Sequence, residues 1–505
     1  MTDLQSFIVH ERLTVGNLKI EPNRVSADYI ITTFSGDKRS TPLTYTYNHP
    51  YFQADSEADQ NLASMMLAQL AFNYGLFFRE IVFEGLFDQA DRQFIRDMTE
   101  NTSREIVTNK LMIDNVFLLP PYNEIQVSKQ EKYTAASIVF ANKSEYNSTG
   151  ESIQADPDKY AILSSGGKDS LLTYGLIKEI GIPYPVFINE SGRHWFTAVN
   201  SHRYYTSIEP NTAKPWCNSD RVFNWMLRQL PFIRPDFADV RADIYPIRLW
   251  TVAVFLFGVL PIVRKKGIGN ILIGNEYDTT IFTHTDGIPH YQGLYDQSKY
   301  FDNALTGYYR RKGWNINQYS ILRSLSEMLI MKVLIKRYPE LQQHQVSCHA
   351  AHEKDGRMYP CGNCEKCRRI IGMIKSMDED PAPCGYDENM VKKGLAALEK
   401  RSVKQLGSDA SHLYYMLAAK KLIAANEHTS RLAKPHPEIM KLRFDKERSN
   451  LEDLPEKIRK PLFTILTQYA DGAVVRDQHK WKEITVDDDF LSSVNYKYDK
   501  QVKGH

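Results

Sequence analysis

The chain reads as an α/β protein. A central unit built on a parallel sheet is preceded by an N-terminal α+β unit and followed by a mainly helical C-terminal region. Three observations predict this. Between about 155 and 386, short apolar runs alternate with helical segments, the pattern of a parallel sheet with helices on both faces. The apolar run 160–163 ends in a small-residue loop that passes directly into an amphipathic stretch, giving strand, turn and helix. Four of the six cysteines fall between 348 and 367, as a metal site rather than a disulfide frame would have them.

Residues 1–150 form the first unit. Segments 26–33 and 41–47 alternate as strands, and 58–77 has helical spacing, with Leu62, Met65, Met66, Leu70 and Phe72 apolar. The polar stretch 143–159 reads as a linker. In the central unit, 155–386, the expected strands are 161–163, 185–188 and 270–273. The expected helices are 170–180, 222–230, 250–260 and 320–337. The longest apolar run, 249–263, falls short of the ~20 residues that span a bilayer and reads as a buried helix. Residues 387–505 are charged, with helical patterns at 392–401, 412–425 and 454–469 and a tail from 488 onward.

Lys plus Arg exceed Asp plus Glu by 63 − 61 = 2, so the balance argues against a nucleic-acid partner. No signal peptide is visible at the start of the sequence, and reduced cysteines fit a cytoplasmic location.

The loop carries the chemistry. Ser165-Gly166-Gly167-Lys168-Asp169-Ser170 follows a strand and opens a helix. Glycines let the backbone approach a ligand, the helix N-terminus favours an anion, and Lys168 adds a positive charge, so the expected guest is a phosphate. The order differs from a Walker loop, which needs two glycines flanking four residues and then Lys-Ser/Thr. A second apolar strand runs into Gly274-Asn275-Glu276-Tyr277-Asp278, which places Asn275, Glu276 and Asp278 at the same edge, fit for Mg²⁺, a ribose or an amine, or simply a polar turn. Ser298-Lys299 follows, and then Arg323 and Glu327 at i, i+4 spacing, where Arg323 either clamps an anion or pairs with Glu327.

Cys348, Cys361, Cys364 and Cys367 supply one full tetrahedral zinc shell, expected to be structural because no position stays open. An iron–sulfur cluster is the alternative, and His349 or His352 could replace one thiolate. Lys366, Arg368 and Arg369 would offset the thiolate charge, while Cys217 and Cys384 read as ordinary.

The string SGGKDS resembles the PP-loop of the ATP pyrophosphatase superfamily. The order of motifs, through Gly-Asn-Glu, Ser298-Lys299, Tyr319-Ser-Ile-Leu-Arg-Ser-Leu-Ser-Glu327 and the four cysteines, resembles the ATP-dependent UDP-N-acetylmuramoyl-L-alanyl-L-glutamate epimerase family. More distantly it resembles 7-cyano-7-deazaguanine synthase. The sequence departs from the epimerase pattern after Glu276 and before Ser298, and 190–250 is longer, with Arg193, His194, Trp195, Trp216, Arg234, Arg241 and Arg248.

The resemblance implies an enzyme that uses ATP with Mg²⁺ to adenylate a substrate carboxylate, releasing pyrophosphate. Ser165 to Ser170 would hold the phosphates, and Lys168, Asp169, Lys299 and Arg323 would act in catalysis. The substrate would be a small molecule or peptide bearing a carboxylate. The second step would be epimerisation, with His194, His284 or His290 as base, or capture by an amine as in a ligase. A nucleotide-binding partner protein without catalysis is the other class.

Overall fold

The computed structural model describes residues 4–123, 125–142, 153–240, 245–403 and 407–499, with the side chain of Arg193 outside that set. It is a mixed α/β structure with two main sheets. The first has six strands, in the order Ser137–Phe140, Phe78–Phe83, His10–Glu21, Arg24–Thr32, Lys38–Thr46 and Trp216–Cys217. The pairs on the Arg24–Thr32 side are antiparallel, and the two pairs on the Phe78–Phe83 side are parallel. Strict alternation along Arg24–Thr32 sends Val25, Ala27, Tyr29 and Ile31 into the core.

The second sheet is wholly parallel, in the order Asn317–Tyr319, Ile268–Leu272, Asp156–Leu163, Ile182–Val186. From Asp156–Leu163 the chain moves outward to Ile182–Val186, then returns past its first strand to Ile268–Leu272. The loops that leave Leu163 and Leu272 therefore diverge around a switch-point crevice at the carboxyl ends of the strands, where ligands of such sheets bind.

The helix Val252–Lys266 carries the apolar run. Ten of its residues are buried, and it ends on Gly267 in the left-handed region. Tyr45 and Tyr47, from the first sheet, donate hydrogen bonds to its carbonyls at Val254 (2.9 Å) and Gly258 (2.8 Å). One hydrophobic core runs from the first 140 residues into 217–316. No helix among the described residues is long and apolar enough to cross a membrane.

Four expectations need correction or qualification. Segment 320–337 is helical only at Glu327–Arg337. Ser320 donates to the Asn275 carbonyl (2.7 Å) and Ser326 caps the helix, so both hydroxyls compete with helix formation upstream. The C-terminal region has helices at Glu388–Leu398, Ser408–Ala419, Glu427–Leu432 and Glu456–Leu466, but also a three-stranded sheet of Leu442–Phe444, Ala473–Asp477 and Lys480–Ile484. Strands of three to five residues carry too little periodicity to be read. The linker at 143–159 lies partly outside the described residues (143–152), and Asp156–Leu163 is already strand. The tail from 488 starts as a short helix, Asp488–Ser492, and its last six residues lie outside the described set.

Candidate functional site

Gly166 has φ +78°, and a Cβ there would stand 2.1 Å from the Thr197 carbonyl oxygen, so only glycine fits. Gly167 precedes the helix Lys168–Ile180 as its N-cap, and no side chain caps it. Its first N–H groups are thus left to solvent or an anion. Thr197 Oγ1 donates to the Ser165 carbonyl (3.0 Å), the Val346 N–H to the Gly166 carbonyl (3.2 Å), and the Ser165 N–H to Ser170 Oγ (3.3 Å). The second loop presses on the first at Gly274, whose Cβ would lie 2.8 Å from the Asp169 carbonyl carbon. Gly166→Ala is expected to cost at least about 1–3 kcal/mol from φ strain alone, with the clash added. Gly167→Ala, whose Cβ would meet nothing nearer than 3.6 Å, should cost less. Denaturant melts of the two variants check the difference.

Lys168 Nζ is the centre of the charges. It lies 2.8 Å from Asp169, 3.2 Å from Glu327 and 3.7 Å from Glu276, and Glu327 also meets Arg369 at 3.6 Å. Burial works against the Lys168 charge, yet Asp169, Glu327 and Glu276 together hold its pKa above the ordinary lysine value. Burial raises Asp169 and Glu276, partly offset by Lys168. Glu327 is held below the usual carboxylate range: burial opposes this, but Lys168, Arg369 and then Lys366 outweigh it.

The two loops open into a cleft of ≈ 430 Å³, the size of a ligand-binding pocket. Ser165, Gly167, Lys168, Asp169 and Ser170 line one side. Asn275, Gln297 and Glu327 line another, and Val186, Ile188, Val252 and Phe255 form an apolar wall. Asn275 is 4 % exposed, and its side-chain Nδ2 has no hydrogen-bond partner among the described residues. Burying an amide that way is costly unless a ligand satisfies it. Glu276 sits behind the lining, held by Lys168.

From the long insertion, His194, Tyr245 and Arg248 reach the cleft. Tyr245 Oη and His194 Nε2 are 2.9 Å apart, and burial lowers the pKa of His194, which favours the neutral imidazole. Arg248 pairs with Asp220 (2.8 Å) and lies over Phe223. The other aromatic and basic residues of the insertion point elsewhere. Trp195 joins the second core, Trp216 donates to Ser191 (2.6 Å), and Arg234 pairs with Asp236. The side chain of Arg193 and all of Arg241 lie outside the described residues. His284 sits in an outlying hairpin, and His290 is bound to Thr285 (2.8 Å), so neither lines the cleft.

Lys299 and Arg323 lie outside the cleft lining too. Lys299 Nζ donates to the Lys446 carbonyl (2.6 Å) and meets Asp453 at 3.3 Å. Arg323 binds Asp302 (2.6 Å) and Thr279, Thr280 and Gln297, not Glu327. The i, i+4 pairing fails because the helix starts only at Glu327. Both side chains border a much smaller cavity against the C-terminal region.

The four cysteines form a cluster that could hold a metal such as zinc. Their sulfurs all lie within 4.8 Å of one another, with separations of 3.5, 3.6 and 3.8 Å for three pairs. A tetrahedral ion with Zn–S bonds of about 2.3 Å sets its sulfurs roughly 3.8 Å apart. The spacing suits one ion; a cubane cluster, with thiolates on four different irons, needs wider separations. His349 and His352 stand apart from the cluster, His349 against Lys366 (3.1 Å) and His352 stacked with Tyr359. The cluster ties the segment before Cys348, which reaches the phosphate loop through Val346, to the helix Glu365–Ser376.

The C-terminal region braces the carboxylates from behind. Arg443 lies 3.9 Å over the Tyr277 ring and reaches Asp278 (3.4 Å) and Asp409 (3.8 Å), and Tyr277 Oη donates to Asp445 (2.8 Å). Asp409 accepts the Glu327 N–H (3.2 Å). Burial raises Asp409 to about 8, against the pull of Arg443, with Asp278 and Glu327 adding repulsion. An acid raised in the folded state is protonated there while the unfolded chain ionises. Its contribution is therefore full below its ordinary value near 3.8 and is lost as pH rises towards about 8. Asp409→Asn is expected to flatten the fall in stability across that window, as melts at pH 5 and pH 8 would record.

Comparison with protein-family models, with curated proteins and with solved structures returns no match.

Proposed function

We propose that the cleft binds ATP and that the protein is an ATP pyrophosphatase-type enzyme which adenylates a substrate carboxylate. The observation that carries this reading is the helix N-terminus without a side-chain cap behind the Gly166–Gly167 turn, in one cleft with an Asn275 Nδ2 that has no partner among the described residues. The phosphates would lie against the N–H groups of 167–170 and Lys168, with the adenine on the apolar wall of Val186, Ile188 and Phe255.

A carboxylate oxygen of the substrate attacks the α-phosphorus. The bond from that phosphorus to the bridging oxygen breaks, and its electron pair leaves on pyrophosphate. Such in-line transfer needs positioning and charge neutralisation, which Lys168 and the loop N–H groups supply. Asp169, which lines the cleft, would hold the Mg²⁺ that accompanies a nucleoside triphosphate and, when bound, neutralises phosphate charge.

For the second step we favour epimerisation of an amino-acid residue, in a peptide or peptidoglycan precursor. His194 lines the cleft one helical turn from Thr197, the residue that anchors the glycine loop, and its neutral form suits a base that removes the α-proton of the acyl-adenylate. A solvent-derived proton then adds to the opposite face, and water cleaves the acyl–phosphate bond to restore the carboxylate and release AMP.

The test is incubation with ATP, Mg²⁺ and fractionated peptide substrates in deuterated water. AMP, pyrophosphate and deuterium at one inverted carbon are expected. A product with an added amine and no deuterium would replace epimerisation with ligation. ATP binding without AMP would leave a nucleotide-binding protein.

A further inference from the structure

The helix Glu365–Ser376 begins inside the cysteine cluster, with Cys364 as its N-cap and Cys367 in its first turn. Its sequence divides by face. Cys367, Ile371 and Ile374 pack into the core shared with the C-terminal helices. Lys366, Arg369 and Ile370, at i, i+3 and i+4, line the cleft. Arg369 is buried, at 8 % exposed. Glu327 holds one oxygen 3.2 Å from Lys168 and the other 3.6 Å from Arg369. A single carboxylate thus separates the cation of the phosphate loop from the cation of the metal-site helix.

Lys366 and Arg369 are like charges on one helix face, a pairing that weakens a helix unless an anion shares it. A helix rooted in a metal site is a rigid base on which to hold them. The phosphate loop, which lines the same cleft across the Glu327 carboxylate, contributes N–H groups and Lys168 but no guanidinium. An anion with two linked charged groups would be gripped from both sides.

We propose that Lys366 and Arg369 form the second half of an anion clamp for the pyrophosphate moiety, the β- and γ-phosphates before transfer and the leaving group after it. This rests on the reading of the cleft as an ATP site. It gives the cysteine cluster a role in the site as well as in folding, because the ion holds the cationic face of the helix towards the phosphate loop. As the bond to the α-phosphorus breaks, charge accumulates on the leaving oxygen, and cations on that side strengthen their hold in the transition state.

The experiment is calorimetric titration of the full-length protein with inorganic pyrophosphate and, separately, with AMP, both with Mg²⁺. It compares wild type, Arg369→Met, Arg369→Lys and Lys366→Gln, with metal content and melting temperature measured for each. We expect Arg369→Met and Lys366→Gln to weaken pyrophosphate binding at least about tenfold each, the loss of one charge-assisted contact. AMP binding and metal content should stay at the wild-type level, and Arg369→Lys should recover part of the loss. Lys366 is only half-buried, so Lys366→Gln remains informative if Arg369→Met does not fold. Pyrophosphate affinity unchanged in metal-replete variants overturns the clamp and leaves the ATP site standing. A wild-type protein that binds neither ATP nor pyrophosphate overturns the ATP site, and the clamp with it.

Discussion

Lys168→Met is expected to cut AMP release by about two to three orders of magnitude and, at the same time, to weaken the fold at neutral pH. The ammonium is 5 % exposed and stands among Asp169, Glu327 and Glu276, so removing it leaves three carboxylates facing one another. Breaking a buried ion pair by deleting one partner costs about 3–5 kcal/mol. Loss of a preorganised donor to the transferring phosphate lowers the rate on the order of 10²–10³-fold.

The two effects separate by pH. Without the cation, the folded-state pKa values of the carboxylates rise, so the folded variant takes up protons more readily than the unfolded chain. Its stability deficit is then largest above neutrality and shrinks as pH falls towards 5. Thermal melts at pH 5 and pH 8, with single-turnover AMP formation at each, check both. A variant as stable as wild type at pH 8 would show that the carboxylates do not depend on Lys168.

Chelation of the metal that the cysteine cluster could hold, or Cys364→Ser, is expected to produce the second large effect. Binding of a four-thiolate ion is coupled to folding, with apparent free energies of about 10–16 kcal/mol in small zinc domains. That exceeds or matches the whole stability of a typical domain, about 5–15 kcal/mol. The helix Glu365–Ser376 packs Ile370, Ile371 and Ile374 against Leu413, Tyr414 and Leu417, so loss of the ion should loosen the C-terminal helices along with residues 346–370. Limited proteolysis should show new cleavage in 346–376 on chelation and protection on adding zinc back. One metal per chain is expected by elemental analysis. A chelated protein that keeps its protease resistance and melting temperature would remove the structural role.

Much of the candidate site was legible in the residues themselves. The glycine-loop geometry follows from Gly166, whose positive φ no other residue adopts cheaply, and from a strand and helix of ordinary length on either side. The cysteine cluster follows from ligand number and spacing alone. These features are local: every group they need lies within about twenty residues of chain.

What the sequence left open is long-range. Arg323 and Glu327 look like neighbours at i, i+4, but Ser326 caps a helix that starts only at Glu327, so Arg323 lies outside it. Arg323 then pairs with Asp302, and Glu327 turns to Lys168 and Arg369. Lys366 and Arg369 read as counter-charges for thiolates; Cys364 and Cys348 do act on the Lys366 charge, and helical periodicity also brings both cations into the cleft lining, which the spacing alone did not show. Tyr245 carries no motif, and it becomes part of the site only because the insertion folds back over the sheet. The strand Trp216–Cys217 completes the N-terminal sheet from 170 residues downstream of its partner. The short strands Leu442–Phe444 and Ala473–Asp477 exist because each finds the other. Local spacing determines which chemistry the chain can offer. Which charges meet, and which of them face the cleft, is decided by contacts between residues tens to hundreds of positions apart, whose partners no window of sequence contains.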